Sequence, residues 1–397
     1  MSDDALRVHW YLPTAGESRD VLRGGTNVHP VGDGPLRSRF RAPSLSYLTQ
    51  VALAVEDGGL DSVLVPTGSY CEDPWIVAAA LTSATRDLKF LVALHPRTTT
   101  PAYTAHRAAT LQRLSGGRLA LNVVTGEPGQ EAWLHGDFGD KADQYARTAE
   151  FLDIHRSLFR GETVDRDGGH YAVRGGAIGR IRGGRADIPD APEIWFGGSS
   201  DYAGDVASVH ADVYLSWLEP LDQLAQKIEW IRVLAAAQGR TVRFGVRAWI
   251  LARPTDEQAE RDALALLDGA TAEQLAAARA QLLSRQSVGQ QRGQAHLDGA
   301  DPADPGSLWI AENLWGGFGL IAGGPALGFV GSFESIADRF AEYRRLGVSE
   351  FIVSGFPNLE EAHWVADGLM PELRRRGDQT PPAEADSAHD APALART

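Results

Sequence analysis

Polar residues suited to chemistry cluster where short apolar runs of this chain end. Cys71, its single cysteine, lies in Pro66-Thr67-Gly68-Ser69-Tyr70-Cys71-Glu72-Asp73-Pro74-Trp75, after the run Val63-Leu64-Val65 and before a helical pattern. A reactive side chain between the C-terminal end of a strand and the next helix is what an α/β active site needs. The strands hold the backbone still while the loop presents the chemistry. The plainer alternative is a small buried cysteine beside an ordinary turn. Phe196-Gly197-Gly198-Ser199-Ser200-Asp201 likewise follows a strand and opens a helix. Glycines let a backbone approach a ligand, and free amides with two hydroxyls at a helix start suit a phosphate. The alternative is a plain helix cap by Ser200 or Asp201.

Asn122 and Thr125 end another apolar run and could hydrogen-bond a flat heterocycle or its ribityl chain, or serve only a turn. Tyr145, near the start of the next long helix, is in reach of a phosphate or else is core. Arg247 interrupts the apolar string Phe244-Gly245-Val246-Arg247-Ala248-Trp249-Ile250. An unpaired buried charge is very costly, so this arginine either meets an interior carboxylate or binds an anion in a polar cavity. The histidines show no paired metal-ligand spacing and one cysteine excludes a thiolate cluster, so no metal is expected. Neither a Gly-x-Ser-x-Gly elbow nor a Walker loop is present, which sets aside serine hydrolases and P-loop enzymes.

Only a scaffold that gathers strand ends can bring these residues together. Strand patterns occur at 8–12, 63–65, 90–94, 119–124, 194–196, 213–215, 244–251 and 351–353. Helical patterns alternate with them at 45–56, 75–84, 102–114, 144–159, 202–210, 221–237, 257–267 and 360–369. Such βα alternation without a composition break predicts an α/β fold, one closed (β/α)8 TIM barrel rather than two doubly wound halves. A single domain is expected over 1–377, with insertions at about 18–41, 163–190 and 269–327, the last holding a helical run at 272–283. Loops this long are functional lids or disordered, and the Pro/Ala/Asp-rich tail 378–397 reads as disordered. The net charge of −14 disfavours nucleic acid or an anionic membrane as partner. No apolar run is long enough to span a bilayer and no secretory signal is visible, so with its lone cysteine a cytoplasmic enzyme is expected.

Taken in order, several strings make the chain resemble the bacterial luciferase-like flavin monooxygenases, and within them most the alkanesulfonate monooxygenases. They include Trp10-Tyr11-Leu12-Pro13-Thr14, Pro66-Thr67-Gly68 with Cys71-Glu72-Asp73, and Lys89-Phe90-Leu91-Val92-Ala93-Leu94. Asn122-Val123-Val124-Thr125-Gly126, Gly197-Gly198-Ser199-Ser200-Asp201, Ser287-Val288-Gly289-Gln290-Gln291-Arg292 and Asn313-Leu314-Trp315 continue it. The resemblance implies reduced FMN at the C-terminal mouth of a TIM barrel, supplied by a separate NAD(P)H-dependent flavin reductase. O2 is then the co-substrate, and a peroxyflavin oxidises a small organic molecule. A homo-oligomer, dimer or tetramer, is implied as well. Ala93, Asn122, Thr125, Tyr145, Gly198, Ser199 and Ser200 would bind the cofactor. Arg247, Cys71 and Trp249 would serve catalysis, with Cys71 tuning the site rather than attacking. Trp10, Trp217, Arg285, Arg292 and Phe356 would line the substrate or its lid.

Departures from that pattern bear on the substrate. Trp249 stands where the family has a histidine, Ala322 where it has an arginine before Gly-Gly, Phe356 where it has a tyrosine, and Ala15 where it has a histidine. An anion site without those donors loses charge-assisted hydrogen bonds. The expected substrate is therefore a sulfone, a bulky sulfonate or a larger metabolite held by the Trp249 and Phe356 rings. Two other functions fit the same barrel: deazaflavin-dependent hydride transfer, and non-catalytic flavin binding.

Overall fold

Parallel strands covered on both faces read as unbroken apolar runs, and the wall-forming segments of this chain are of that kind. The computed structural model describes residues 5–18, 40–181, 184–185, 189–268, 291–292, 295–296, 304–321 and 324–378. The helical run 272–283, Arg285, Ala322 and the tail beyond 378 lie outside them. The wall is built from β1 (Arg7–Tyr11), β2 (Ser62–Val65), β3 (Lys89–Leu94) and β4 (Leu119–Val123). It continues through β5 (Glu193–Gly197), β6 (Val213–Trp217), β7 (Arg243–Arg253) and β8 (Val348–Ser354). Each pairs in parallel with the next, and β8 pairs with β1, so the sheet closes.

Around it run α1 (Leu45–Asp57), α2 (Pro74–Thr82), α3 (Pro101–Ser115) and α4 (Lys141–Phe159). The ring continues with α5 (Asp201–His210), α6 (Leu221–Ala237), α7 (Phe333–Leu346) and α8 (Asn358–Trp364). The chain is thus a (β/α)8 TIM barrel, as the alternation predicts. Among the described residues no helix is long and apolar enough to cross a membrane.

The seventh unit differs from expectation. Residues 257–267 were read as its wall helix, but the helix there, Asp256–Ala265, packs on the part of β7 that projects beyond the barrel. That projection, from Trp249 to Arg253, pairs with a returning strand, Gly328–Ser332, and only then does α7 follow. The hairpin Val164–Asp167 with Ala172–Gly176 occupies the middle insertion, and Glu17–Ser18 pairs with Phe40–Arg41 at the base of the first.

Strand alternation divides the core. Val8, Trp10, Val63, Val65, Phe244 and Val246 pack outward against the helices. Leu64, Leu91, Ala93, Trp195, Val213 and Ile352 form a separate inner cluster, with Tyr11 and Leu215 against it. Below this cluster an ionic floor closes the N-terminal end. Glu350 is fully buried and accepts from Arg7 Nη2 at 2.6 Å, His9 Nε2 at 2.9 Å and also Arg243. His9 Nδ1 meets Ser62 Oγ at 2.8 Å, and its ring stands edge-on to Trp195 at 5.2 Å.

Burial alone pushes the Glu350 carboxyl up, but His9 and Arg7 outweigh it and hold it down at about 2. A value below the ordinary 4.5 means that this stabilisation is complete above pH 4.5 and is lost as pH falls toward 2. Replacing Glu350 by Gln leaves the partly exposed Arg7 and Arg243 without their shared carboxylate and should lower stability by roughly 1–3 kcal/mol at neutral pH. Denaturant curves for variant and wild type should converge as the solution is acidified through that window.

Candidate active site

The strand ends at the opposite, C-terminal mouth carry inward-facing Tyr11 on β1, Ala93 on β3, Asn122 on β4, Trp217 on β6, Arg247 on β7 and Ser354 on β8. Arg247 is the charged group among them and is 5% exposed. Its guanidinium lies between two rings, 4.7 Å from the Tyr11 centroid and 4.8 Å from that of Trp249. It donates to Ser354 Oγ at 2.7 Å and to the Ala248 carbonyl. No carboxylate pairs with it among the described residues. Of the two readings the sequence allowed, interior ion pair or anion ligand, the geometry favours the second. Burial pushes the guanidinium down to about 10, which leaves it a cation at neutral pH.

Cys71 lies half-buried in the loop after β2, its Sγ donating to the carbonyls of Pro66 and Gly68 at 3.6 Å each. Burial pushes the thiol up to about 11, and Glu131, Glu72 and Asp73 add to the rise. It is a thiol, not a thiolate, at neutral pH. Asp73 has a structural task, capping α2 through the amides of Trp75 and Ile76 at 2.9 and 3.0 Å.

Across the mouth, the loop from β5 to α5 brings Gly198, Ser199 and Ser200 next to Tyr145. Gly198 has φ 148°, and a Cβ there would come within 2.6 Å of Ala203 Cβ and 3.2 Å of the Tyr145 hydroxyl. Only glycine fits that approach. Its carbonyl accepts from the Tyr214 hydroxyl, which also lies against Ser199. Ser200 occupies the N-cap position of α5 without making a cap bond, and its buried Oγ has no partner of good geometry. Burial raises the Tyr145 phenol's pKa, against a smaller pull downward from adjacent Ser200. The Tyr145 ring stacks on Tyr202 with centroids 6.0 Å apart. Asn122 is 9% exposed, and its amide has no partner among the described residues. Thr125 Oγ1 is tied to Thr148 Oγ1 on α4 at 3.1 Å, which supports the turn reading for that side chain.

Other expected site residues lie elsewhere or are engaged. Trp10 faces outward into the helix-packed core and donates from Nε1 to Asn358 Oδ1 on α8 at 2.8 Å, so it does not line the mouth. The parity of the strand points its neighbour Tyr11 inward instead. Trp249 and Phe356 are also not open substrate contacts. They belong to a second core with Leu308, Trp315, Phe318 and Val330, their rings stacked 4.5 Å apart. Trp249 Nε1 donates to the Pro325 carbonyl at 3.0 Å. Gly328 permits this packing, since a Cβ there would strike Phe318 at 2.5 Å and Trp249 at 2.7 Å. The later part of the insertion expected to be a lid is therefore packed onto β7. Arg292 is held by Glu219, Nε to Oε1 at 2.8 Å, and the same oxygen receives Lys227 Nζ at 2.7 Å.

The sequence reading missed Tyr11 and His95. His95 continues the inward parity of Leu91 and Ala93, which was the signal available. Its Nδ1 donates to the Val124 carbonyl at 2.8 Å, leaving Nε2 as an acceptor, and burial with nearby Arg97 pushes it down to about 4, hence neutral.

A closed (β/α)8 barrel carrying polar side chains at its C-terminal mouth has the architecture in which enzymes place their sites. Residues 15–350 match the luciferase-like monooxygenase family, and the chain belongs to it. Its fold is similar to a riboflavin lyase solved with modified FMN and riboflavin, at 20% identity, TM-score 0.72, covering 98% of this chain and 94% of that one. EDTA monooxygenase from Chelativorans sp. BNC1 is similar at 18% identity and TM-score 0.71, with 95% of each chain covered. An F420-dependent secondary alcohol dehydrogenase shares the fold at 15% identity and TM-score 0.63, covering 92% of this chain and 98% of that one.

Two outcomes follow from this geometry. Trp249→Ala opens a cavity where the insertion meets β7 and should cost about 3–5 kcal/mol of stability. Limited proteolysis should then cut within 304–327 much faster than in wild type. Iodoacetamide should label Cys71 slowly at neutral pH, with a rate that climbs as pH approaches 11.

Proposed function

We propose that this protein is a two-component, reduced-FMN-dependent monooxygenase that uses dioxygen to oxidise a small organic molecule. The observation that carries the reading is the buried, unpartnered Ser200 hydroxyl at the start of α5, beside Tyr145 and Gly198. A phosphate there would receive helix amides and the hydroxyls of Ser199, Ser200 and Tyr145. Asn122 would donate to the ring system or its ribityl chain, and Ala93 leaves the wall low beneath a flat heterocycle. Bound reduced flavin would supply the electrons that activate dioxygen for transfer of one oxygen atom.

The chain's own residues have narrower tasks. Arg247 would stabilise negative charge developing on oxygen at the mouth, where low polarity strengthens the interaction. Cys71 stays protonated and shapes the space beside it. The second aromatic core, packed against Arg247 through Trp249, would keep water from that side of the mouth. A separate NAD(P)H-dependent reductase would deliver the flavin, and a homo-oligomeric, cytoplasmic enzyme is part of the same proposal. Resemblance to the alkanesulfonate enzymes suggests an organosulfur compound such as a sulfone or bulky sulfonate, with a larger metabolite as the other class.

Titration with oxidised and reduced FMN tests the proposal, and reduced FMN should bind more tightly. Changing Ser199 and Ser200 together to alanine should weaken FMN binding at least ~10-fold, since a hydrogen bond to a charged group is typically worth roughly 1.5–3 kcal/mol. The melting temperature should not change. Binding of F420 in preference to FMN would instead favour hydride transfer, and binding of neither would end the proposal.

A further inference from the structure

His95 follows β3 directly, and its extended backbone (φ −104°, ψ 124°) carries the strand one residue further. Side chains two apart on a strand share a face, so His95 stands at the mouth above Leu91 and Ala93 of the inner cluster. Its surroundings hold it there. Nδ1 donates to the Val124 carbonyl at 2.8 Å, and the Pro96 carbonyl accepts from the Tyr171 hydroxyl at 2.7 Å. Arg97 lies across Gly126, where a Cβ would come within 2.6 Å of both Nη atoms, so only glycine, here at φ 81°, leaves the guanidinium its place.

The bond to Val124 settles the tautomer. Nδ1 carries the proton, and burial beside Arg97 keeps the ring neutral, so Nε2 is an acceptor at neutral pH. His9 engages both of its ring nitrogens, with Ser62 and Glu350. His95 Nε2 has no partner among the described residues, in a residue only 5% exposed. Its neighbours in the mouth are donors: Arg247 can only donate, and Cys71 gives its thiol to loop carbonyls. A ligand that satisfies Nε2 must bring its own N–H or O–H.

Shape narrows the choice. Ala93 leaves a low wall on which a flat ring can lie, and His95 then stands at the edge of that ring. Two strand spacings of roughly 4.8 Å separate β3 from β5, about 10 Å along the rim. That span suits a flavin whose phosphate is at Ser200 and whose pyrimidine ring is over Ala93. The edge of a flavin pyrimidine is an imide, one N–H between two carbonyls. Arg97, whose described hydrogen bond is to the Thr125 carbonyl at 3.4 Å, supplies a donor close by. An acceptor beside a donor complements an N–H beside a carbonyl.

We propose that His95 is a cofactor-binding residue whose Nε2 accepts the ring N3–H of FMN, with Arg97 beside it for an adjoining carbonyl. This rests on the flavin reading and adds to it the end of the cofactor opposite the phosphate.

The test measures binding of FMN and of 3-methyl-FMN, which lacks that N–H, to the full-length protein by flavin fluorescence. Wild type should bind FMN about tenfold more tightly than 3-methyl-FMN, a comparison that needs no variant. His95→Asn keeps a donor for the Val124 carbonyl and leaves nothing at the Nε2 position. It should melt as wild type does and bind FMN about tenfold more weakly, with 3-methyl-FMN bound no worse, so that the preference vanishes. His95→Gln, whose amide oxygen reaches the Nε2 position, should restore part of it. Equal affinity of wild type for the two flavins overturns the proposal and leaves the phosphate site standing. So does a His95→Asn variant that keeps the preference, or one that weakens both flavins alike, which would mark a packing role. A wild type that binds neither flavin ends the flavin reading and this assignment with it.

Discussion

Closure of this barrel depends on one carboxylate. Glu350 has no exposure to solvent and gathers Arg7 and His9 from β1 and Arg243 from β7, the two strands that flank β8. Desolvating so many charges is tolerable only when every one is matched in position, so the cluster fixes how the three strands sit against one another. The registers Arg7 to Glu350 and Gly245 to Glu350 follow from it. A slip by one residue would turn Ile352 and Ser354 out toward the helices. Arg247 would then lose the hydroxyl that orients it, and the mouth would lose its shape.

Floor and mouth handle charge in opposite ways, and β7 supplies both. Its odd-numbered residues run from the compensated floor at Arg243, through the uncompensated mouth at Arg247, to Trp249 in the second core. Beyond these, Arg253 leaves the barrel to pair with Glu361 at 2.7 Å and Asp262 at 2.6 Å. Only Arg247 in this series lacks an acidic partner among the described residues. Its charge is moderated by two aromatic faces, a hydroxyl and a carbonyl, which lower the penalty of burial without neutralising the group. A cation held in this way favours any anion that can enter.

The alternation of strands and helices was legible because parallel strands buried on both faces leave unbroken apolar runs. The wall helix Phe333–Leu346 was not recognised, although Ile336, Ala337, Phe340 and Tyr343 have helical spacing. Asp256–Ala265 had filled its place in the count, and pattern alone does not say which helix touches the wall. At the site, Arg247, Gly198, Ser199, Ser200 and Tyr145 stood out by residue type. Tyr11 and His95 did not, because their value lies in facing inward, which needs register. Trp10 was misplaced for the same reason, one residue out of phase. Trp249 and Phe356 were read as pocket walls because nothing in their strings reveals that a segment some seventy residues downstream of Trp249 packs over them, as Pro325 does.

The closing contact between Arg7 and Glu350 joins residues 343 positions apart. On a ribosome, β1 through β7 can pair with their neighbours as they emerge, but β1 and β7 keep bare edges until β8 appears. The entropy of joining such distant segments grows only slowly with length, whereas the time taken to find them grows steeply. Throughout that interval the nascent sheet offers unpaired strands to other chains, the usual start of aggregation. The interval open to such pairing lasts until β8 joins β7 to β1 and leaves no wall strand with a free edge.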